Sequence, residues 1–314
     1  MILLLATLSC SRAPLRQLVT IEFKTSCQAT RSSVNPPEEA VEDVNLFIFG
    51  PEGVMEEHIW AKSSTGISVS LLEDVPYTYF ACANAGYRLQ DVGIEELEGM
   101  RYYLTYTDEY SKGIPMSCVA RDVVAGEEGK VELELQRCMA RLEIRMDRSA
   151  LYSGVDIDVE SIEVGACPRS VQLFGKSRVR SKDDIFAKGF NKDGRDVWAL
   201  NTGSGAVSEP LYLYILENCQ GDLLDDAHGP EDKVFESLDG RGELCSHVII
   251  KASYYSPRYH TKPGEYLIYR FYLGESPGNF DVRRNVNYRI TVRPEGSGLN
   301  ENSWRVDRGA IEAN

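Results

Sequence analysis

Residues 130–146 read KVELELQRCMARLEIRM, and their hydrophobic pattern changes phase midway. The apolar positions are first odd and then even: Val131, Leu133 and Leu135, then Ala140, Leu142, Ile144 and Met146. Successive side chains of a strand point to opposite faces, so one strand in one sheet cannot change its buried face without a slip. A β-bulge would allow the change, and so would a strand that leaves one core and enters another. Because 314 residues suffice for two cores, we predict two domains, residues 18–138 and 139–314.

Short apolar runs that alternate like β-strands lie on both sides of this segment. They are LVTIEF (18–23), VNLFIFGPEG (44–53), ISVSLL (67–72), YTYFACANAG (77–86), LYLYILEN (211–218), HVIIKASYY (247–255), YLIYRFYLG (266–274) and VNYRITVRP (286–294). Only residues 91–106 have weak helical spacing, through Ile94, Leu97, Tyr103 and Leu104. Many short strands with Gly, Pro and Asn turns predict an all-β fold of sandwich type.

The net charge of the chain indicates which class of partner is disfavoured. The formal net charge is −14 and the isoelectric point is about 4.9. Because an acidic surface repels phosphate backbones, nucleic acid is not expected as a partner.

The N-terminus reads MILLLATLSCSRAP, with an apolar run of Ile2 to Leu8 before Ser9-Cys10. A membrane span needs about 20 apolar residues, so this run fits the apolar core of a signal peptide better. A small residue followed by Cys resembles the lipobox of bacterial lipoproteins. We therefore predict a signal peptide at residues 1–9, lipidation of Cys10 and a tether at residues 10–17. An ordinary cleaved leader and a structural first strand are the alternatives. A signal peptide usually has a charged segment before its apolar run, and none precedes Ile2. Either the translation start lies further upstream or the leader is unusually short.

The eight cysteines do not have the spacing of a metal site. They are Cys10, Cys27, Cys82, Cys118, Cys138, Cys167, Cys219 and Cys245, and no two are separated as in CxxC. Most lie in apolar strand patterns, which favours small buried side chains. An exported protein could still contain one or two disulfides, and the sequence does not select the pairs.

No catalytic, cofactor or metal constellation is evident. The four His are scattered, and neither a P-loop nor GxGxxG occurs. The stretch NKDGRD (191–196) fails the register of a calcium loop, which favours a solvated turn. The acidic run DDAHGPEDK (225–233) is typical of a solvated loop. We expect a protein that is not an enzyme.

A few single residues support a structural and a functional interpretation. Arg137 and Arg141 flank the phase change, and a solvated edge is favoured over an interface pair. For Asn285 we favour a turn contact, and for Trp304 a cap on the second core. Tyr254, Tyr255 and Tyr259 form either a glycan-stacking platform or, as we prefer, a half-exposed strand end.

Several segments occur together in an order that resembles one family. They are NLFIFGPEGVM, YTYFACANAG, IPMSC, VELELQRCMARLEIRM, YLYILENCQG and YRFYLGESPGNFDVRRNVNYRITVRPEGSG with SWRVD. Together they resemble the Bacteroidetes fimbrillin superfamily, and most closely its FimB/Mfa-type fimbrial anchor lipoproteins. The resemblance implies two tandem transthyretin-like β-sandwiches, a lipid anchor in the outer membrane, surface exposure and strand exchange with fimbrial subunits.

Two functions follow as expectations. The first is a fimbrial anchor or accessory subunit that binds other subunits by β-strand complementation. An anchor is expected to keep its first strand, Leu18 to Phe23, in its own sheet, although major subunits of the superfamily are thought to lose theirs by cleavage after an Arg. Here Arg12, Arg16 and Arg31 lie in that region. The alternative is a surface lipoprotein adhesin for a glycan or host protein, as at a fimbrial tip.

Overall fold

The computed structural model describes residues 15–25, 40–62, 66–110, 113–126, 128–202, 205–229, 232–233, 238, 240–258, 266–299 and 305–307. The strands are β1 (Arg16–Thr25), β2 (Val44–Phe49), β3 (Met55–Ala61), β4 (Ile67–Leu72), β5 (Tyr77–Ala83), β6 (Arg101–Tyr103), β7 (Met116–Val123), β8 (Lys130–Arg137), β9 (Met139–Met146), β10 (Asp156–Gly165), β11 (Ser170–Gln172), β12 (Phe190–Asp193), β13 (Leu211–Leu216), β14 (Asn218–Asp222), β15 (His247–Tyr255), β16 (Tyr266–Tyr272), β17 (Asn279–Val282), β18 (Asn287–Arg293) and β19 (Arg305–Asp307). The helices are α1 (Ile94–Gly99) and α2 (Trp198–Asn201). The predicted all-β fold is confirmed.

The strands of residues 16–137 form a first sandwich. One continuous sheet has the order β3-β2-β5-β7-β8-β1-β4, and β7 pairs with β8 at only two positions, Met116 with Arg137 and Ser117 with Gln136. The sheet therefore folds over at this point, and its two parts face each other. Side chains from both parts, such as Ile21 and Val131 on one and Leu46 and Tyr79 on the other, share a single apolar core.

The strands from residue 139 onward form a second sandwich with the same strand order. The sheet β12-β10-β15-β16 corresponds to β3-β2-β5-β7, and the sheet β13-β9-β18-β19 corresponds to β4-β1-β8 with one added strand. Its core again takes residues from both sheets, including Ile144, Ile162, Ile250 and Ile290. In each sandwich the first strand lies between an antiparallel strand and the parallel last long strand.

The phase change of residues 130–146 coincides with the passage between the sandwiches. β8 ends at Arg137, β9 begins at Met139, and the side chain of Cys138 is buried between them. A third apolar cluster covers the outer face of β2 and β5 with residues from both halves, including Phe80, Leu97, Met139 and Tyr214.

Arg284 fixes this junction by hydrogen bonds to both sides. Its guanidinium donates to the carbonyl oxygens of Gln172, Leu173 and Gly175 at 2.6, 2.8 and 2.6 Å, and to Glu217 Oε2 at 2.9 Å. The same guanidinium lies 3.4 Å from Ser117 Oγ of the first sandwich. Both partners of the Arg284–Glu217 ion pair are nearly excluded from water.

Three local predictions are wrong. The helix at residues 91–106 ends at Gly99, and Arg101–Tyr103 form strand β6 because they pair with β11. Arg141 is not at a solvated edge: it is buried, donates to Asn287 Oδ1 at 3.0 Å and lies over the Tyr212 ring. The run at 225–233 is not wholly solvated, since Lys233 is buried and donates to the Asn279 carbonyl.

The other singled-out residues have structural roles where they are described. Arg137 donates to Asn285 Oδ1 at 3.2 Å, and Asn285 has a φ of 59°, as expected for a turn. In NKDGRD, Asn191–Asp193 belong to β12 and a single turn of 3₁₀ helix follows. Tyr254 is buried and donates to the Ser297 carbonyl, so it does not belong to a stacking platform, whereas Tyr255 is exposed. Tyr259 and Trp304 lie outside the described residues.

Candidate strand-assembly site

Strand β1 alternates along its length, which explains its conformation and its two faces. Val19, Ile21 and Phe23 point inward, and β-branched and aromatic residues favour strands that pack on one side. Leu18 and Lys24 lie on the opposite, exposed face. The strand spans Arg16–Thr25 and therefore extends two residues beyond the predicted segment at each end.

β1 is hydrogen-bonded on both edges, by different halves of its length. Arg16 to Ile21 pair with β4 in the antiparallel sense, and Thr20 to Thr25 pair with β8 in the parallel sense. Only Thr20 and Ile21 are paired on both sides. We call the space between β4 and β8 the β1 slot. The expected pairing of Leu18 to Phe23 in their own sheet is observed.

The slot holds β1 through few side chains. Val19 and Ile21 are fully buried in the first core, and Phe23 packs against its border. Leu18 is 69% exposed. Full burial of such a side chain stabilises by roughly 1.5–3 kcal/mol, so the backbone ladder supplies much of what holds the strand.

A row of charges accompanies β1 on the exposed face. Lys24 Nζ lies 2.7 Å from Glu132 Oε2, and Lys130 Nζ lies 3.9 Å from Glu22 Oε1. The hydrogen bond to Glu132, together with the charges of Glu132, Glu22 and Glu134, raises the pKa of Lys24. All these groups are solvent-exposed, and exposed pairs stabilise by only about 0.2–1 kcal/mol each.

Two glycines bring the neighbouring backbone close to Thr20. The Thr20 N–H donates to the Gly129 carbonyl at 2.7 Å, and Gly129 has a φ of 64°. A Cβ at Gly129 would lie 2.7 Å from the Leu18 carbonyl oxygen, and a Cβ at Gly66 would lie 3.0 Å from Thr20 Cγ2. We call this constriction, formed by Gly66 and Gly129, the Thr20 pinch. Nothing in the sequence pattern identified it, because both glycines follow polar stretches, as ordinary turn residues do.

Other predicted features lie apart from the slot. Cys10, the predicted lipidation site, and Cys27 lie outside the described residues. The six described cysteines are free thiols; five of them are buried and Cys118 is partly buried. In the described ranges no three His, Cys, Asp or Glu side chains are grouped as a metal site would require. Neither described α-helix is long or apolar enough to cross a membrane.

A family model and solved structures of other proteins are similar to parts or most of this chain. A family model described as "Domain of unknown function (DUF4906)" matches residues 213–292. No curated protein matches the sequence. The solved structure of a candidate cell adhesion protein from Bacteroides eggerthii has a TM-score of 0.57 at 12% identity, covering 94% of this chain and 90% of that one.

Two fimbrial proteins from Porphyromonas gingivalis are similar to the same degree. Fimbrilin has a TM-score of 0.56 at 13% identity, covering 88% of this chain and 90% of its own. The tip fimbrial protein Mfa3, with its C-terminus truncated, has a TM-score of 0.54 at 12% identity, covering 89% and 95%. The chain thus has the all-β fold of these fimbrial and cell adhesion proteins.

Proposed function

We propose that this chain is a non-enzymatic, lipid-anchored fimbrial subunit, acting as an anchor or accessory subunit that binds other subunits by β-strand complementation at the β1 slot. The observation that carries the proposal is the geometry of β1. It is paired on both edges, yet among its described side chains only Val19 and Ile21 are fully buried.

Strand complementation requires a segment that is held mainly by its backbone. Main-chain hydrogen bonds provide affinity for any extended segment, and alternate side chains provide the register. In an accessory subunit, a neighbour's segment that offers two β-branched side chains at a spacing of two could therefore replace β1, whereas an anchor that keeps its first strand holds the slot filled. In the isolated subunit β1 fills its own slot, which hides the strand edges that would otherwise invite aggregation.

A strand-exchange experiment tests this proposal. A protease site inserted between residues 33 and 34 nicks the full chain, so that β1 is no longer covalently tied to the sandwich. A fluorescent peptide of residues 15–25 is then offered in excess, and its incorporation is followed by anisotropy. We expect saturable incorporation, and a scrambled peptide of the same composition serves as control. If the peptide does not enter the nicked chain, complementation at this slot is wrong.

The lipid anchor rests on Cys10 and a tether that ends before Arg16, shorter than the predicted 10–17, because Arg16 and Gln17 pair with β4 as part of β1. Stable membrane anchoring requires more than one acyl chain, and the cysteine of a bacterial lipoprotein is modified in this way. The test is labelling with a palmitate analogue in cells that express the wild type, Cys10→Ala or Cys27→Ala, with fimbriae imaged in each. Label should be lost only in Cys10→Ala, and fimbriae should detach. Lipid on Cys10→Ala would refute the anchor.

The division into residues 18–138 and 139–314 is also part of this proposal. Separate apolar cores and the matching strand order of the two sandwiches support it. The third cluster and Arg284 tie the two halves together. We therefore expect the halves to unfold together, with a single transition in chemical denaturation.

An adhesin at the fimbrial tip is the second candidate, favoured by exposed aromatic side chains outside the strands of the second sandwich, one at the start of α2 and one in a connecting segment. Trp198 is 65% exposed and Tyr152 is 70% exposed. Binding residues are often found on loops that a rigid scaffold positions. If Trp198→Ala abolishes cell adhesion while fimbriae assemble normally, this second function is supported.

A further inference from the structure

We propose that the β1 slot selects both its strand and the register of that strand by two separate checks. One is the Thr20 pinch, and the other is an acidic pair on β8, Glu132 and Glu134. This inference rests on the proposed function, and it names the chemistry of the strand that the slot accepts.

The Thr20 pinch demands a small residue at one position. Gly66 approaches the side chain at position 20, since a Cβ there would lie 3.0 Å from Thr20 Cγ2. Gly129 approaches the backbone of the same strand, through the Thr20 N–H bond and through the Leu18 carbonyl, which a Cβ would meet at 2.7 Å. Residues 20 and 21 are also the positions that pair with both β4 and β8, so the strand has least freedom there. A large side chain at position 20 would have to displace the backbone at Gly66.

The acidic pair demands a cation four residues later. On the exposed face of β8, Glu132 and Glu134 stand directly opposite Glu22 and Lys24. Lys24 bonds to Glu132 at 2.7 Å, and its charge offsets the repulsion among Glu22, Glu132 and Glu134. Like charges placed side by side on neighbouring strands destabilise the sheet. A strand without a basic residue at this position would leave Glu132 and Glu134 without Lys24, and of these carboxylates only Glu22 would keep a cation, Lys130, nearby.

Each check rejects a different slip of the strand. Only slips by two residues keep the apolar side chains facing the core. In a forward slip, β1 moves by two residues towards the C-terminal end of β8. This slip would place Glu22 opposite Glu134 and move Lys24 away from Glu132, towards Gln136. A backward slip would bring Glu22 to the pinch and force Phe23 into the pocket of Ile21. The accepted strand therefore has the pattern β-branched, small, β-branched, acidic, aromatic, basic, as in Val19 to Lys24.

The nicked full chain and the labelled peptide of residues 15–25 test the charge check. A peptide with Lys24→Glu should bind about 3- to 10-fold more weakly at low salt, because an attraction of an exposed pair is exchanged for a repulsion. The Glu132→Lys/Glu134→Lys chain should reverse this preference, and the difference should shrink in 1 M salt as the charges are screened.

The steric check has a matched control in the same turn. Gly129→Ala should reduce incorporation at least about tenfold, since alanine at positive φ is strained and its Cβ meets a backbone oxygen. Gly126→Ala should bind like the wild type, because a Cβ there has no heavy atom nearer than 3.9 Å. Circular dichroism before nicking verifies that both variants fold.

The outcomes separate the two proposals. Binding of the wild-type peptide with the charge reversal and the glycine contrast supports the inference. Equal binding of the wild-type and Lys24→Glu peptides, or of the two glycine variants, overturns it and leaves strand complementation intact. Failure of the wild-type peptide to bind overturns the proposed function, and with it this inference.

Discussion

Strands β1 and β9 occupy the same place in the two sandwiches, and the molecule holds them very differently. β9 pairs with β13 over residues 139–144 and with β18 over 141–146, so four positions, 141–144, are bonded on both edges. β1 has two such positions, 20 and 21. Seven of the eight residues of β9 are buried, in the pattern BBBBBBiB. The same topology thus holds one strand with more backbone pairing and more burial than the other.

The difference arises on the outer face of the sheet. Around β9 this face is covered at Met139 by the third cluster, which includes residues of the first half, and at Arg141 by Tyr212 and Asn287 of the same sandwich, so both residues are buried as well as the inward side chains. Around β1 the outer face is open and carries Leu18 and Lys24. Because apolar burial is the main favourable term in folding, a strand covered on one side only has a much smaller free energy of docking.

Removing Arg284 should have the largest effect, because this residue fixes the covered half. In Arg284→Ala the buried carboxylate of Glu217 loses its ion-pair partner, and three carbonyl oxygens each lose a donor, of which the Leu173 carbonyl keeps the Ser117 hydroxyl. Breaking such a pair costs about 3–5 kcal/mol, measurable as a lower free energy of unfolding in urea. Arg283→Ala is the control, since its side chain is 49% exposed. Equal losses for both variants would show that the junction does not depend on Arg284.

Matched truncations probe the two strands directly. Ile21 and Ile144 are both fully buried, and Ile→Ala in a core costs about 2–5 kcal/mol. For Ile144→Ala we expect that loss in global unfolding. For Ile21→Ala the loss is limited by the docking energy of β1, so β1 should leave while the rest stays folded. Hydrogen exchange should then be fast only in residues 16–25 and at the amides of β4 and β8 that bond to them. Uniformly faster exchange in Ile21→Ala would contradict the comparison.

Sequence reasoning found the fold where local periodicity and burial agree. The phase change around Cys138 predicted the passage between two cores, because each strand beside it buries one consistent set of side chains. β10 was missed because a register shift between Val159 and Ser161 moves its inward residues from Ile157 and Val159 to Ile162 and Val164.

Features that depend on contacts distant in sequence were not predictable. Arg141 lies in an alternating charged pattern, and it is buried against Tyr212 and Asn287, which are distant from it in sequence. The pinch has the same origin: Gly66 and Gly129 are 63 positions apart in the numbering, and their shared neighbour Thr20 is distant from both. A single sequence contains no signal for such a meeting point.

Two cysteines report on the two cores separately. Burial raises the pKa of both Cys118 and Cys167 to about 12, so about one thiol in ten thousand is ionised at pH 8. Cys167 is buried, so its alkylation requires local opening, whereas Cys118 is partly buried and reacts in part from the folded state. Cys118 packs against the first core, and Cys167 belongs to the second core. Iodoacetamide labelling followed by peptide mass spectrometry should be faster at Cys118, and the change of each rate on mutation, rather than the rate itself, measures local stability.

The Ile variants sharpen this measurement. Ile21→Ala should accelerate labelling of Cys118 and leave Cys167 unchanged, whereas Ile144→Ala should accelerate Cys167. If both cysteines respond equally to Ile21→Ala, the two cores open as one unit and β1 is not separately released.

The smallest effect is expected from exposed ion pairs on the two strands. Lys24 pairs with Glu132 at 2.7 Å on β1, and Arg145 pairs with Glu143 at 2.9 Å on β9. Glu143 is mostly shielded from water, whereas both groups of the β1 pair are largely exposed. Lys24→Gln should therefore cost about 0.2–1 kcal/mol and lose its effect in high salt. Arg145→Gln should cost more and depend less on salt, because a shielded charge is screened less. Urea titrations at low and high salt measure both. A stronger salt dependence for Arg145→Gln would mean that the outer face of β9 is as open as that of β1, and the distinction between a permanent and an exchangeable strand would lose its physical basis.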